Sequence, residues 1–243
     1  MRYLLNRLKM KSRNTTFLLL TIAALLLVAC TSEKASNGPE LNSNTTGAAP
    51  PATSQDRVTE ADAAKNALNV GAKMPPFTLR DIGGKSVSSD ELLKKGNLVV
   101  VFYRGAWCPF CNLYLQQLQN SAGAIKDAGG HIVAISVENP DNSSSVARKN
   151  ELQFTVLSDP KLETARKFGI VYQLAPETDE TYKTRGLDVA KHNEMEKAEL
   201  PLGATYVVDQ NGEIVYAFLD TDYKKRAEPE VIIENLKKIR RER

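Results

Sequence analysis

The chain has 243 residues, 42% of them hydrophobic and 25% charged, with a formal net charge of +3, a composition that fits one globular domain or two small ones. The basic excess collects at the two ends, in Arg2, Arg7, Lys9, Lys11 and Arg13 and in Lys237, Lys238, Arg240, Arg241 and Arg243. The second cluster holds no aromatic residue and the first only Tyr3, which argues against a nucleic-acid surface.

At the N-terminus the basic stretch leads into Phe17 to Ala29, almost wholly apolar and too short to span a bilayer comfortably, as in the h-region of a secretion signal. It ends in Leu27-Val28-Ala29-Cys30, which resembles the bacterial lipobox. The resemblance implies a signal peptide over 1–29 and a lipid on Cys30, against the alternative of an uncleaved anchor; a start at Met10 gives a signal of more usual length. Residues 30–67 are rich in Ser, Asn, Thr, Ala, Gly and Pro and read as a flexible tether. Residues 68–243 then form one folded domain. The chain is therefore expected in the bacterial cell envelope, outside the cytoplasm and held to the membrane by its lipid. That space is oxidising, so an exposed cysteine pair needs an electron donor to stay reduced.

Within the domain, Phe77-Thr78-Leu79 and Ser86-Val87 flank Gly83-Gly84 and predict a hairpin. Ser89 opens a short helix. Leu98-Val99-Val100-Val101-Phe102-Tyr103 reads as a buried strand and 110–128, with Leu115, Leu118, Ala122 and Ile125 on one face, as a helix. His131 to Val137 is a second buried strand, so strand, helix and strand make a βαβ unit. A helix over 144–152, a strand over 154–157 and a helix from Pro160 to Phe168 follow. Residues 173–200 turn polar and read as an insertion, partly helical over 188–199. Asn211-Gly212 between two β-rich runs predicts a hairpin, and Pro229 introduces a closing helix with Val231, Ile232, Ile233, Leu236 and Ile239 available for its buried face.

The chemistry is concentrated in Tyr103-Arg104-Gly105-Ala106-Trp107-Cys108-Pro109-Phe110-Cys111. Two thiols one turn apart at the start of a helix meet unpaired N–H groups and the positive end of its dipole, which favour thiolate over thiol. Arg104 supplies a cation nearby. Zinc needs four ligands, and only Cys30, His131 and His192 remain; haem attachment needs a histidine where Asn112 stands. Redox chemistry is the expectation, without cofactor or metal. His131 reads as a strand-end residue and His192 as exposed.

The order of elements resembles the thioredoxin fold, an α/β arrangement with a central mixed β-sheet flanked by helices, here with an N-terminal hairpin extension. More narrowly, Gly71-x-x-x-Pro75-x-Phe77-x-Leu79, Leu157-Ser158-Asp159-Pro160, Tyr206-Val207-Val208-Asp209-x-x-Gly212 and the cysteine turn resemble the peroxiredoxin-like branch of the alkyl hydroperoxide reductase and thiol-specific antioxidant family. The resemblance implies a thiol-dependent peroxidase in which Cys108 attacks a hydroperoxide, becomes a sulfenic acid and is resolved by Cys111, with a thioredoxin-like or membrane thiol reductant as donor. The alternative is a thiol-disulfide oxidoreductase acting on protein disulfides. A third reading is a binding lipoprotein whose disulfide is only a staple. Typical peroxiredoxins carry P-x-x-x-T-x-x-C and a later arginine, whereas this chain has Val101, Gly105 and Gly203 at those places. Arg104 either substitutes for that arginine or pairs with an acidic neighbour, and Trp107 is a second supporting residue. Pro201 stands two residues before the site of thioredoxin's cis-proline, and Phe102 at its buried acid. Glu138 resembles the acid of membrane-tethered cytochrome-maturation thioredoxins, against the reading of a solvated loop carboxylate.

Overall fold

A computed structural model describes residues 57–241. The signal segment, Cys30 and the tether as far as residue 56 lie outside the described residues. The fold is organised by β3 (Asn97–Tyr103), whose seven residues are all buried. Its β-branched and aromatic side chains favour an extended backbone covered on both faces. Leu98, Val100 and Phe102 point into one core and Val99 and Val101 into another. Each such side chain removed from water is worth roughly 1.5–3 kcal/mol. Around Phe102, the rings of Phe168 and Tyr206 stand 4.9 and 6.4 Å away, both edge-on.

From β3 the chain passes through the cysteine turn into α3 (Pro109–Asp127) and returns as β4 (Gly130–Ser136), parallel to β3. The parallel pair β4 and β5 (Thr155–Ser158) extends the sheet on one side. On the other, β8 (Thr205–Val208) runs antiparallel to β3 and continues into β9 (Ile214–Phe218). The expected glycine-turn hairpin is β1 (Thr78–Asp81) with β2 (Ser86–Ser88), which joins the sheet through β5 and leads into the short helix α2 (Ser89–Leu93). The seven strands lie in the order β2-β1-β5-β4-β3-β8-β9, a mixed sheet flanked by helices, as expected. The closing helix α8 (Pro229–Arg241) packs beside α3 and buries Ile232, Leu236 and Ile239, whereas Ile233 is only partly covered and Val231 stays exposed.

Several boundaries differ from the sequence reading, each for a local reason. The tether does not extend to residue 67, because α1 (Glu60–Asn66) is already part of the fold. Thr59 and Asp62 close a reciprocal capping box, and Ala63 is fully buried in the larger core. The helix expected from Ser144 is α4 (Pro140–Lys149), started by the Asn139 side chain accepting the Asn142 N–H at 3.0 Å. The helix expected from Pro160 is the shorter α5 (Glu163–Lys167), since Leu162 takes a left-handed backbone with φ 57°. Asp159 still reaches it, accepting from the N–H groups of Thr164 and Ala165.

The largest correction concerns 173–200. The helix there is chiefly α6 (Pro176–Thr184), followed by the short α7 (Val189–His192), which stops before Glu194 enters a left-handed conformation. Glu199 lies instead in β7 (Glu199–Pro201), which pairs with β6 (Val171–Gln173) in a separate two-stranded sheet. Val189 and Leu200 are fully buried, and Tyr182, Leu187 and Met195 pack on the core. The polar segment is thus fastened to the domain next to the cysteine turn.

Candidate active site

Buried β3 delivers residues 104–108 at its C-terminal end, where Cys108 is the N-cap of α3 and Pro109 takes the first helical position. Proline costs nothing there, because that N–H has no partner within the helix. Asn112 fastens the turn, its Nδ2 donating to the carbonyls of Ala106 at 2.7 Å and Cys108 at 3.1 Å. Cys108 and Cys111 are both free thiols and both fully buried. Their sulfurs lie 2.7 Å apart, with Cys111 placed to donate.

The two sulfurs are electrically unequal. The Cys111 hydrogen bond, the Arg104 charge and hydrogen bond, and the Cys111 N–H together push the Cys108 thiol down to about 5, against the opposing cost of burial. Burial first, and then the neighbouring Cys108, pushes Cys111 well above the ordinary thiol range. The arrangement provides one thiolate and one proton-bearing partner near neutral pH.

Arg104 is the cation responsible. Its Nη2 donates to Cys108 Sγ at 3.3 Å, and its Nη1 to the Tyr182 hydroxyl of α6 at 3.1 Å. The guanidinium lies over the Tyr223 ring, 4.0 Å from its centroid, and 5.2 Å from that of Trp107. Among the described residues no carboxylate pairs with it, so its partner is the sulfur and not an acidic neighbour. Trp107 in turn meets Tyr182 edge-on at 5.8 Å.

Of the two readings of Glu138 the structure excludes one, and the reading of His192 is corrected. Glu138 is wholly buried and not a solvated loop carboxylate: it accepts the Ala106 N–H at 2.7 Å and bonds His192 Nε2 at 2.9 Å. His192, expected in solvent, is therefore tied to the back of the cysteine turn through α7. His131 stays at the strand end, bonded to the Lys95 carbonyl at 3.0 Å.

The departures at 105 and 203 have steric explanations. Gly105 has φ 149°, and a Cβ there would lie 2.6 Å from Trp107 Nε1 and 2.9 Å from the Glu138 carboxyl carbon. No threonine fits that space. At Gly203 a Cβ would lie 2.9 Å from Cζ of Arg226. The position facing the cysteines is thus filled by an arginine from the loop between β9 and α8, whose Nη2 is 3.4 Å from Cys111 Sγ. Pro201 is committed to β7 through Val171, and Phe102 to the aromatic core. Arg226, Tyr182 and Tyr223 were not identified from the sequence; the vacant arginine position at Gly203 was the one signal for any of them.

A cavity of about 460 Å³, lined by Phe110, Leu113, Tyr114, Phe218 and Lys224, opens beside Arg226. Among the described residues no three His, Cys, Asp or Glu side chains converge as a metal site.

Comparison with known proteins gives three results. Residues 70–217 match the model of the AhpC/TSA family. The chain is 30% identical to peroxiredoxin Q, chloroplastic, of Gentiana triflora over 148 residues, 60% of this chain and 57% of that one. It is 31% identical to peroxiredoxin Bcp of Escherichia coli strain K12 over 105 residues, 43% of this chain and 67% of that one. The matched stretches thus span 57% to 67% of these relatives' own lengths. The crystal structure of peroxidoxin BcpB from Mycobacterium tuberculosis superimposes with a TM-score of 0.58 at 19% identity, covering 71% of this chain and 98% of that one. At that identity the likeness is one of fold.

Proposed function

The chain belongs to the AhpC/TSA family, and from that premise we propose that it is a thiol-dependent peroxidase that reduces hydroperoxides through Cys108 and Cys111. The observation that carries the reading is the Arg104 contact with Cys108 Sγ, 3.3 Å from a thiol whose pKa is pushed down to about 5. A thiolate attacks the terminal oxygen of a hydroperoxide: an S–O bond forms, the O–O bond breaks, and the departing oxygen leaves as water or alcohol once protonated. Negative charge moves from sulfur to oxygen during that step. A guanidinium already beside the sulfur stabilises it without reorganising. Arg104 thereby takes the part that the family's later arginine plays elsewhere.

The sulfenic acid on Cys108 condenses with Cys111 to a disulfide and water, and an external dithiol of thioredoxin type returns the pair to thiols. The protein-disulfide alternative draws less support, since Pro201, the residue nearest the place of thioredoxin's cis-proline, is held in β7. The reduced chain is expected to consume hydrogen peroxide and alkyl hydroperoxides in the presence of a dithiol, and to reduce a protein disulfide no faster than the dithiol alone. Disulfide reduction without peroxide consumption would reverse the assignment.

We also propose that the peroxidase is a lipoprotein of the bacterial envelope, anchored through Cys30 with 30–56 as tether. Support comes from the apolar run ending in Leu27-Val28-Ala29-Cys30. Mass spectrometry of the mature N-terminus tests it: a chain retaining residues 1–29 with Cys30 unmodified refutes it.

A further inference from the structure

Resolution needs a thiolate at Cys111, yet burial and Cys108 both hold that thiol protonated. Something must offset this within the fold. Three observations converge on one residue. Arg226 Nη2 lies 3.4 Å from Cys111 Sγ. Its Nη1 donates to the carbonyls of Tyr223 and of Lys225, which folds the guanidinium back onto its own loop and fixes it toward the sulfur. The space that it fills is left open by Gly203, where any Cβ would stand against its Cζ. Arg226 also lies beyond residues 70–217, the stretch that the family model matches.

We propose that Arg226 is the cation that readies Cys111 for resolution, as Arg104 does Cys108 for peroxide. The proposal rests on the peroxidase reading. In the resolving step Cys111 gives up its proton, its sulfur attacks the Cys108 sulfur, the S–S bond forms and the S–O bond breaks. The oxygen leaves as hydroxide, which takes up that proton to give water. Electrons and atoms balance within the pair, with no added reductant. Arg226 acts by lowering the free energy of the Cys111 thiolate through charge and a hydrogen bond. The other groups facing that sulfur are Cys108, Arg104 and Tyr103, with Glu228 lining the cavity beside Arg226.

Trp107 is the chain's one tryptophan and packs against the cysteine pair, so its fluorescence can follow both steps after rapid mixing with hydrogen peroxide. The first phase should rise with peroxide concentration and the second should not. Arg226→Gln is expected to slow the second phase about ten- to a hundredfold, the range for losing a charged hydrogen bond, and to leave the first unchanged. Raising the pH should recover much of the loss, which a merely structural role would not produce. Gly203→Ala is a second variant that leaves Arg226 in the chain but displaces its guanidinium, and should slow the same phase. A second phase at the parent rate in both variants, or a first phase slowed as much as the second, overturns the proposal. A titration without peroxide separates it from the peroxidase reading: in Cys108→Ser protein, the thiolate absorbance of Cys111 should appear at higher pH when Arg226→Gln is added. An unchanged midpoint counts against Arg226, whereas absence of the first phase in the parent chain counts against the peroxidase.

Discussion

Cys108→Ser is expected to abolish hydroperoxide turnover, with peroxide lost no faster than in the absence of protein. The reason lies in the inequality of the two sulfurs. Cys108 is charged near neutral pH because the Cys111 thiol, Arg104 and a backbone N–H all act on it. A serine hydroxyl in the same place accepts those bonds without ionising, so the nucleophile disappears while the fold stays. Cys111 cannot take its role, because burial keeps it protonated. Peroxide consumption by the variant measures this directly. Turnover above background would mean that Cys111 also reacts with peroxide and that the division of roles is wrong.

Arg104→Gln is the second large effect. Glutamine is short and uncharged, so it forfeits the contact with Cys108 Sγ, the bond to Tyr182 and the position over the Tyr223 ring. Losing a charge-assisted hydrogen bond at a reacting sulfur is expected to lower the rate constant with hydrogen peroxide about ten- to a hundredfold. The pH dependence has a definite sign. Cys108 in the parent chain is a thiolate above about 5, so its rate is level at higher pH and falls as pH drops through that value. In Arg104→Gln the fall should set in at higher pH. Arg104→Lys keeps the charge but not the planar fork or the ring stacking, and should recover the midpoint more than the rate. A rate and midpoint unchanged by Arg104→Gln would assign the thiolate to the helix N-terminus and Cys111 alone.

The sequence was readable where the determinants are local. The β-branched run of β3, the glycine turn between β1 and β2 and Asn211-Gly212 between β8 and β9 each specify their element within a few residues, and all three stand where expected. Arg104 lies four residues before Cys108, so its closeness could be foreseen, though not that its partner is the sulfur. The rest of the site arrives from afar. Tyr182 reaches Arg104 across 78 positions, His192 reaches Glu138 across 54 and Arg226 reaches Cys111 across 115. No periodicity encodes such meetings. The two readings of Glu138 stay open in the sequence for the same reason: a carboxylate after a strand is ordinarily solvated, and here the histidine of α7 and the Ala106 N–H make its burial tolerable. The segment 173–200 reads as an insertion because its buried apolar residues, Leu174, Val189, Ala198 and Leu200, are spaced too widely to show a pattern.

The central claim is that a hydroperoxide oxidises Cys108 to a sulfenic acid faster than it oxidises an ordinary thiol. Reduced Cys111→Ser protein, mixed with hydrogen peroxide and followed by a sulfenic-acid-specific reagent and mass spectrometry, tests it most directly. The peroxidase reading predicts one sulfenic acid per chain, on Cys108, forming far faster than on a free cysteine in the same buffer. Oxidation of Cys108 no faster than that of the free thiol would contradict it.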